Sequence, residues 1–596
     1  MLPNDKKTFE KLLKGLIKTE NSPQNLVGGI LHLWLKASYP HLTRPYVEAK
    51  LLANLNVADF ASWVSRLDLL TAAFWLGSAY AVLSGNEARK QQSLYFTPPY
   101  LANRLLDDAA ESLLLGKIID PACGGAAFLA PAAERVAKEL VKRGRTSEQI
   151  LEYLEANLYG CDSDAFLCSL SATFLRMVLA GHIAEAGREP NFEIQLGDGL
   201  TAFETLVGTF SVVLCNPPYK KLTKDEAAPH VGSYADVIKG QPNLYTLFMR
   251  RSMHLIKAQG RAVLLTPMSF LSGQYFSKLR QTLTEEGQVK QLDLIHEKEG
   301  VFLGAEQDSV ITVWDKSSFS ALTVVNALSA ESGCSAVGRL SLTKSDKPWS
   351  VPRTHADNEL TPLLQHSRHT LATYGYKPKI GAIVIHRDSR ARYSRINKNS
   401  KAKFPTPILW ASDIGTDGVL RPNKDGRNEF NFVDMESATS TSIATSPAVA
   451  IQRVTSHEQR RRLVCAPVPA NLYSAYGGVV AENHVCLIER ADPTSTVESE
   501  FLAEILRTET LDRLFRCISG ATNVSAYELM CLPLPDLAKV KAALEAGRPI
   551  RAYPDDPQAL DTAHVPEDQR SGARSLAARG RAGSRGRQQE GECASI

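Results

Sequence analysis

The segment Asn216-Pro217-Pro218-Tyr219, which follows the apolar run Ser211–Cys215, carries the most chemical information in the chain. Its two prolines fix the backbone just past a predicted strand and cannot donate hydrogen bonds, so the Pro217 carbonyl oxygen is left to accept one. The amide oxygen of Asn216 is a second acceptor. Two acceptors held together suit an NH2 group that must lose a proton as it attacks. The ring of Tyr219 offers a stacking face for a flat base.

Three aspartates end three consecutive predicted strands upstream of that segment: Asp120, Asp162 and Asp198. Ligands of open parallel sheets bind beyond the carboxyl ends of the strands, so we expect the three carboxylates to share one site. Asp120 suits an ammonium group, Asp162 a pair of ribose hydroxyls and Asp198 an adenine amino group. Each aspartate alone is equally compatible with a helix cap or a turn.

The spacing of apolar residues predicts the elements that position these motifs. From about residue 91 to 320, helical stretches alternate with the β-rich runs KIIDPA, NLYGCDSD, FEIQLGD, FSVVLCNPP, GRAVLLTP, VKQLDLIHE and SVITVWD. This alternation is typical of an α/β domain with a doubly wound, Rossmann-like sheet.

The flanking regions have different patterns. Residues 1–90 predict a helical segment that ends in a polar link, GNEARKQQ. Residues 321–545 predict a mixed, β-rich domain with few helices before about 495. Residues 546–596 are poor in large apolar side chains and predict a disordered tail.

The composition limits the class of protein. A net charge of +4 over 596 residues gives no global nucleic-acid signal, so any DNA-binding surface must come from local charge segregation. The ten cysteines are scattered, which predicts a reducing compartment and neither disulfides nor a metal site. The start lacks a signal peptide and no apolar run is long enough to span a bilayer. We expect a soluble cytoplasmic protein with no membrane partner.

The motifs occur in the order Thr97-Pro98-Pro99, Asp120-Pro-Ala-Cys-Gly, Asp162, Asp198 and Asn216-Pro-Pro-Tyr219. This order resembles the gamma class of amino-methylating DNA methyltransferases of Type II restriction-modification systems, in which a target-recognition domain follows the catalytic domain. The resemblance covers residues 91–320. The segments that begin at Lys379, Ala450 and Ile518 resemble, more loosely, the recognition domains of such enzymes.

The resemblance implies a role for each matching residue. Thr97, Asp120, Ala122, Cys123 and Gly124 would line the methionine end of S-adenosyl-L-methionine. Asp162 would hold its ribose and Asp198 its adenine. The target base would be gripped by the residues Asn216, Pro217, Pro218, Tyr219 and Phe302.

One position departs from the family pattern. Gly124-Gly125-Ala126 stands where a Gly-x-Gly turn is usual. Because Ala disfavours positive φ, we expect this turn to be rearranged, which leaves the role of Gly125 open.

The implied activity is transfer of a methyl group to the 6-amino group of an adenine flipped out of double-stranded DNA. No metal and no covalent enzyme intermediate are needed, so Cys123 and Cys215 would only line the site. The methylation would protect DNA from a separate cognate restriction endonuclease. The basic runs 386–403 and 452–462 are the predicted DNA contacts.

Four alternatives remain open on the sequence. A cytosine 4-amino methylase more often has Ser in place of Asn216. A protein-glutamine methyltransferase also uses Asn-Pro-Pro-Tyr but is shorter. A fused restriction-modification enzyme is suggested by Glu48-Ala-Lys50, which is superficially nuclease-like. A non-catalytic DNA-binding protein would have retained the fold alone.

Overall fold

The computed structural model describes residues 3–545 except 20, 296–307, 319–321, 343–346, 361–362, 364–367, 398, 424–425, 427, 456–458 and 520–522. The predicted disordered tail, 546–596, lies outside the described residues.

Within the described residues, the centre of the chain forms a nine-stranded mixed sheet in the order β3-β2-β1-β4-β5-β7-β6-β8-β9. The strands are β1 Ile118–Asp120, β2 Leu158–Asp162, β3 Glu193–Leu196, β4 Phe210–Cys215, β5 Ile256–Pro267, β6 Gly287–Ile295, β7 Ser309–Lys316, β8 Thr323–Ser329 and β9 Gly333–Leu340. The first five strands of the chain are parallel, and β7 runs antiparallel between β5 and β6. The predicted doubly wound fold is confirmed, with a strand at each of the seven predicted runs.

The sheet extends past residue 320, where the sequence placed the end of this domain. Strand β8 pairs in parallel with β6, and β9 pairs antiparallel with β8. Residues 323–340 therefore belong to the sheet by their backbone hydrogen bonds, although the first four residues of β9 are exposed.

The central strands are rich in apolar residues because helices cover both faces of the sheet. All six residues of β4 are buried, and β1 pairs with it at Ile118↔Val212. Adjacent residues of β1 point to opposite faces, so Ile118 packs in one core and Ile119 in the other.

The helices that precede the last strands of the sheet are α1 Pro3–Ile17, α2 Pro23–Ser38, α3 Ala49–Leu52, α4 Leu55–Val64, α5 Leu69–Leu83, α6 Asn86–Gln92, α7 Pro99–Ala109, α8 Leu129–Lys142, α9 Ser147–Asn157, α10 Ala165–Val178, α11 Ala180–Ala186, α12 Lys224–Ala227, α13 Val231–Tyr234, α14 Leu244–Leu255, α15 Ser269–Ser272 and α16 Ser277–Glu285. Helices α7 to α11 cover the face of Ile118, and α14 to α16 cover the face of Ile119.

The N-terminal helices share the first of these cores. Phe9, Trp34, Phe60 and Trp75 are buried in one cluster with the inner residues of α7, α8 and α10. Trp34 meets Phe174 of α10 with ring centroids 6.3 Å apart. The predicted helical segment therefore packs into the core on one face of the nine-stranded sheet and does not form a core of its own.

The predicted polar link, GNEARKQQ, is helical over most of its length. Residues 86–92 form helix α6, which begins after Gly85 at φ +85° and ends at Ser93 at φ +53°. Its Glu, Ala, Arg, Lys and Gln residues have high helix propensity, and this preference outweighs the missing apolar stripe.

The C-terminal region is mixed and β-rich, as predicted, and its described part contains two four-stranded sheets, β10-β17-β14-β15 and β11-β13-β12-β16. The strands are β10 Tyr376–Ile380, β11 Arg392–Tyr393, β12 Pro405–Leu409, β13 Phe432–Asp434, β14 Ala448–Gln452, β15 Cys465–Pro467, β16 Val480–Ala481 and β17 Val485–Arg490. The helices are α17 Ala470–Tyr476, α18 Ser499–Leu506, α19 Glu509–Ile518, α20 Ala526–Cys531 and α21 Leu537–Glu545.

In the part of the chain that the structure describes, no single helix is long and apolar enough to cross a bilayer, and only α10 and α11 together pass such a test, across a 71° bend. The cysteines among these residues are all free thiols.

Asp512 of α19 connects this helix to the loop before β15. Its Oδ1 accepts from the backbone N–H groups of Arg462 (2.7 Å) and Leu463 (2.8 Å), and its Oδ2 accepts from Nε of Arg516 (2.8 Å). The side chain is buried, so solvent cannot replace these bonds.

We predict that Asp512→Ala lowers the free energy of unfolding by about 2–4 kcal/mol, because two buried N–H groups lose their acceptor. Chemical denaturation monitored by circular dichroism measures this loss. Glu509→Ala, on the exposed side of the same helix, is the control and should change stability by less than about 0.5 kcal/mol. Equal stability of the two variants would contradict the prediction.

Candidate active site

A pocket of about 610 Å³ opens at the carboxyl ends of β1, β2, β3 and β4. This is the point where the strand order reverses between β1 and β4, the usual ligand position in such sheets. Asp120, Asp162, Asp198 and Asn216 all line the pocket. The sequence motifs therefore converge on one cavity. The structure also puts Thr97, Ala122, Cys123 and Gly124 in its wall.

Asp120 lies at the bottom of the pocket. It is 1% exposed, and its Oδ1 accepts from the backbone N–H of Ala122 (3.0 Å). Burial raises the pKa of this carboxyl well above its usual range. A cationic ligand group beside it would favour the charged form and oppose that shift. The arrangement suits the ammonium group expected there.

The turn after β1 keeps the left-handed conformation at the position where the family has its second glycine. Gly124 has φ +50° and Ala126 has φ +57°, and the N–H of Ala126 donates to the Cys123 carbonyl (2.9 Å). The expected rearrangement is therefore wrong: the buried Ala126 side chain is accommodated in this unfavourable conformation. Gly125 needs no positive φ, and a Cβ there would make ordinary contacts with Phe96 and Leu170.

Asp162 is held on both carboxylate oxygens by backbone. Its Oδ2 accepts from the N–H of Gly124 (3.0 Å), and its Oδ1 accepts from the N–H of Asp164 (2.9 Å). Burial raises the pKa of this carboxyl, and the two backbone donors oppose the rise. Each carboxylate oxygen has more than one acceptor direction, so ribose hydroxyls can still donate to it.

Asp198 is followed by a glycine that the packing requires. A Cβ on Gly199 would overlap the Pro121 carbonyl oxygen and come within 2.8 Å of the Phe248 ring. Asp198 itself accepts from the N–H of Leu200 (2.9 Å) and turns the chain into the pocket wall. Phe248, from α14, supplies an apolar ring to the same wall.

The Asn216 side chain has a defined orientation. Its Nδ2 donates to Oγ1 of Thr97 (3.0 Å) and lies 3.5 Å from the Tyr95 carbonyl oxygen. A carbonyl oxygen can only accept, so the Nδ2 atom must face Tyr95. The Oδ1 atom is therefore turned the other way, where it can accept a hydrogen bond from a ligand.

Pro218 lines the pocket with Asn216, whereas Pro217 and Tyr219 do not. Pro217 is buried, and Tyr219 is half-buried with its hydroxyl donating to the Leu265 carbonyl (3.0 Å). Its ring meets Tyr245 edge-on, with centroids 6.2 Å apart. Burial raises the pKa of this hydroxyl, so it stays protonated. Tyr219 is thus fixed beside the cofactor pocket and not within it. Phe302, the second predicted stacking ring, lies outside the described residues.

Sequence reasoning missed several pocket residues: Tyr95, Phe96, Asp164, Lys220, Glu226, His230 and Phe248. Lys220 pairs with Glu226 (2.6 Å), and this contact together with the Thr223 donors lowers the pKa of Glu226 to about 2. The sequence signal for Lys220 is its position, because it directly follows the Asn-Pro-Pro-Tyr segment.

Some residues of the two predicted DNA-contacting runs are exposed, and others are buried or bonded within the protein. Arg462 is fully buried, and Gln452 donates to the Ala411 and Ile414 carbonyls. Arg390 is paired with Asp388. Exposed basic side chains include Arg387, Arg395, Lys401, Lys403 and Arg460.

Glu48 and Lys50, the pair that suggested a nuclease, are not arranged as a nuclease site. Glu48 and Lys50 pair with each other (2.8 Å) on exposed surface at the start of the four-residue helix α3. Among the described residues, no group of three or more His, Cys, Asp or Glu side chains is arranged to hold a metal ion.

Residues 156–302 match the family described as the Eco57I restriction-modification methylase. The matched residues are about a quarter of the chain, and this part of it is similar to that family. The resemblance predicted from the motifs is thereby confirmed, and S-adenosyl-L-methionine is the cofactor that the methylase family and its fold imply. The matched range contains Asp162, Asp198 and Asn216.

Two curated relatives are Type II methyltransferases. The chain is 23% identical over 337 residues to M.BsuBI of Bacillus subtilis, covering 55% of this chain and 65% of that protein. It is 21% identical over 352 residues to M.PstI of Providencia stuartii, with the same two coverages. The chain thus spans about 65% of the length of the curated relatives it matches.

One solved structure supports the fold. The Type IIL restriction-modification enzyme MmeI, solved in complex with DNA, matches 88% of this chain and 81% of its own with a TM-score of 0.53 and 12% identity. At 12% identity this likeness shows a similar fold and no more.

We predict that Gly199→Ala weakens binding of S-adenosyl-L-homocysteine by at least about tenfold, because the added methyl group must displace Asp198 or the Pro121 backbone. Isothermal titration calorimetry measures the affinity. Gly181→Ala, at the exposed start of α11, is the control and should bind like the parent chain. Unchanged binding by Gly199→Ala would show that Asp198 does not meet the cofactor.

Proposed function

We propose that this chain is a site-specific DNA methyltransferase that transfers a methyl group from S-adenosyl-L-methionine to the exocyclic 6-amino group of adenine. The observation that carries the proposal is the orientation of Asn216, whose amide nitrogen is held by Thr97 and Tyr95 so that its oxygen is presented as an acceptor. An acceptor at the mouth of a cofactor pocket suits an attacking NH2 group.

The residues of the pocket fit the proposed cofactor. Asp120 suits its ammonium group, Asp162 its ribose and Asp198 its adenine amine, and all three line the same cavity. When bound, S-adenosyl-L-methionine supplies an electrophilic sulfonium methyl group. The ring of Phe248 and the backbone at Gly199 give the apolar surface that a purine needs.

The target amine would donate its two hydrogens to Oδ1 of Asn216 and to the Pro217 carbonyl. These bonds favour a pyramidal nitrogen, whose lone pair is then localised and available for attack. Positioning and electrostatics supply most of the acceleration. The proton that the amine loses leaves toward solvent.

The target base must be extruded from the duplex, at a cost of a few kcal/mol. Stacking on Tyr219 would return about 1–3 kcal/mol of that cost. The hydroxyl of Tyr219 is anchored to Leu265, which fixes the ring without using its faces. We propose that Phe302 stacks on the opposite face of the base.

Double-stranded DNA is the proposed substrate, contacted by the exposed basic residues of the C-terminal region and protected from a separate cognate endonuclease. The relatives M.BsuBI and M.PstI are Type II methyltransferases, which supports this assignment. We propose domains at 1–90, 91–340 and 341–545. The boundary predicted at 320 moves to 340 because β8 and β9 belong to the nine-stranded sheet.

Expression in a methylation-deficient bacterium followed by single-molecule sequencing tests the proposed function. We expect N6-methyladenine at one short sequence. Methylation at cytosine 4-amino groups would replace the adenine assignment, and an unmodified genome despite soluble protein would refute the methyltransferase. A magnesium-dependent cleavage assay on unmethylated DNA would detect a fused nuclease.

We predict that Asn216→Ala lowers the rate of methyl transfer by at least about a hundredfold, because the amine loses a preorganised acceptor. Binding of S-adenosyl-L-homocysteine should stay within about twofold of the parent chain, since Asn216 is assigned to the target base. A radiolabelled methyl-transfer assay and calorimetry measure the two quantities. Equal transfer rates would refute the assigned role.

We predict that Thr97→Val lowers kcat by about tenfold, because the buried Oγ1 that orients Asn216 is lost while the side-chain shape is kept. Thr97→Ser retains that oxygen and should recover most of the rate. Single-turnover methyl transfer measures both. If Val and Ser variants behave alike, Thr97 acts by packing and not by orienting the amide.

A further inference from the structure

We propose that the N-terminal helical segment forms one wall of the cofactor site, with Tyr80 of α5 as a positioning residue for the carboxylate Asp162 that meets the ribose. This inference rests on the proposed cofactor and extends the site to a part of the chain that the sequence motifs leave out.

Tyr80 reaches the pocket wall from the N-terminal segment. It is 2% exposed, and its hydroxyl donates to Oδ2 of Asp164 (2.7 Å) while accepting from Nε2 of Gln24 (3.3 Å). Its ring lies against Phe166, with centroids 4.9 Å apart. Burial and the Asp164 carboxylate raise the pKa of the hydroxyl, so Tyr80 remains a proton donor.

Asp164 transmits this contact to the ribose-binding acid. Its Oδ1 caps α10 by accepting from the N–H groups of Phe166 (2.8 Å) and Leu167 (3.3 Å), and its own N–H donates to Oδ1 of Asp162 (2.9 Å). Both Asp162 and Asp164 line the pocket. The Tyr80 hydroxyl therefore fixes the second oxygen of a residue whose backbone orients Asp162.

A second contact joins α5 to the opposite side of the same wall. Gly77 lies one turn before Tyr80, and a Cβ there would overlap the ring of Phe96. That ring lines the pocket and lies against the turn, 3.8 Å from the Cβ position of Gly124 and 3.5 Å from that of Gly125. The absence of a side chain at Gly77 is thus what allows Phe96 to pack outward from the cavity.

The segment Ser93–Thr97 completes the wall. It follows α6 and passes over the pocket, where all five of its residues line the cavity. The Tyr95 ring is held by the Arg89 guanidinium at 4.9 Å, and the Tyr95 carbonyl faces Nδ2 of Asn216. Helix α5 and the segment that follows α6 therefore support, respectively, the ribose acid and the Asn216 amide.

Calorimetric titration of the full chain with S-adenosyl-L-homocysteine tests the proposal. We expect Tyr80→Phe to raise the Kd by about five- to tenfold, because a hydrogen bond to a carboxylate is lost. The KM for S-adenosyl-L-methionine should rise by the same factor, with kcat at saturating cofactor within about twofold. A positioning role predicts this separation of KM from kcat, and general destabilisation does not.

Tyr374→Phe is the matched control. Its buried hydroxyl also donates a single bond, to the Pro535 carbonyl (2.9 Å), in the C-terminal region. We expect it to bind S-adenosyl-L-homocysteine like the parent chain, with a change in Tm similar to that of Tyr80→Phe. Parent-like binding by Tyr80→Phe, or equal weakening by Tyr374→Phe, would overturn the proposal.

Gly77→Ala provides a second variant should Tyr80→Phe fold poorly. Its methyl group would push Phe96 toward the pocket, and we expect at least about a tenfold loss of affinity. Gly28→Ala in α2 is its control, since a Cβ there meets Val47 at 4.0 Å, an ordinary contact. Unchanged affinity in Gly77→Ala would also overturn the proposal.

The outcomes separate this inference from the proposed function. A parent chain that binds S-adenosyl-L-homocysteine but methylates no DNA would refute the function and leave the binding comparison intact. A parent chain that methylates DNA while Tyr80→Phe binds normally would refute only the role of Tyr80. A parent chain with no affinity for S-adenosyl-L-homocysteine would refute both.

Discussion

The site depends on the hydrogen bonds that hold the Asn216 amide. Its nitrogen faces Oγ1 of Thr97 and the Tyr95 carbonyl, two acceptors from a segment more than a hundred residues away in the chain. These bonds join the end of β4 to the segment that covers the cofactor pocket. The orientation of the amide oxygen is therefore set before any ligand binds, and the amide and the segment Tyr95–Thr97 in the pocket wall are joined by direct hydrogen bonds.

Each of the three carboxylates of the pocket has a structural contact as well as a place in the cavity wall. Asp120, Asp162 and Asp198 each accept from a backbone N–H two residues ahead or from the turn after β1. Each aspartate closes the turn at the end of its own strand and also faces the ligand cavity. The sequence left open whether each aspartate closes a turn or contacts a ligand. The structure shows that one aspartate can do both. The carboxylates that close these turns are also the ones that line the cavity.

Much of the catalytic half was predictable from the sequence because its signals are local. Buried parallel strands appear as short apolar runs, and their aspartates mark the edge where a ligand binds, so the strand positions and the pocket acids were recovered. The sequence could not show that α6 is a helix, since its stability comes from propensity without an apolar stripe. It could not show the approach of Tyr80 to Asp164 either, because the two residues are 84 positions apart. The end of the sheet was also missed, since the pairing of β8 with β6 leaves no local pattern.

The N-terminal helices share their hydrophobic core with α7, α8 and α10, which limits how far the two parts can change independently. Helices α2 and α5 bury their aromatic side chains against α10, which also carries the cap next to the ribose acid. Exchange of this segment for an unrelated one would uncover apolar surface and shift the cap at the same time. The N-terminal helices and the half of the sheet that α10 covers therefore depend on each other structurally. The C-terminal sheets pack around hydrophobic clusters of their own, so exchange of that region would leave the core shared by α2, α5 and α10 covered.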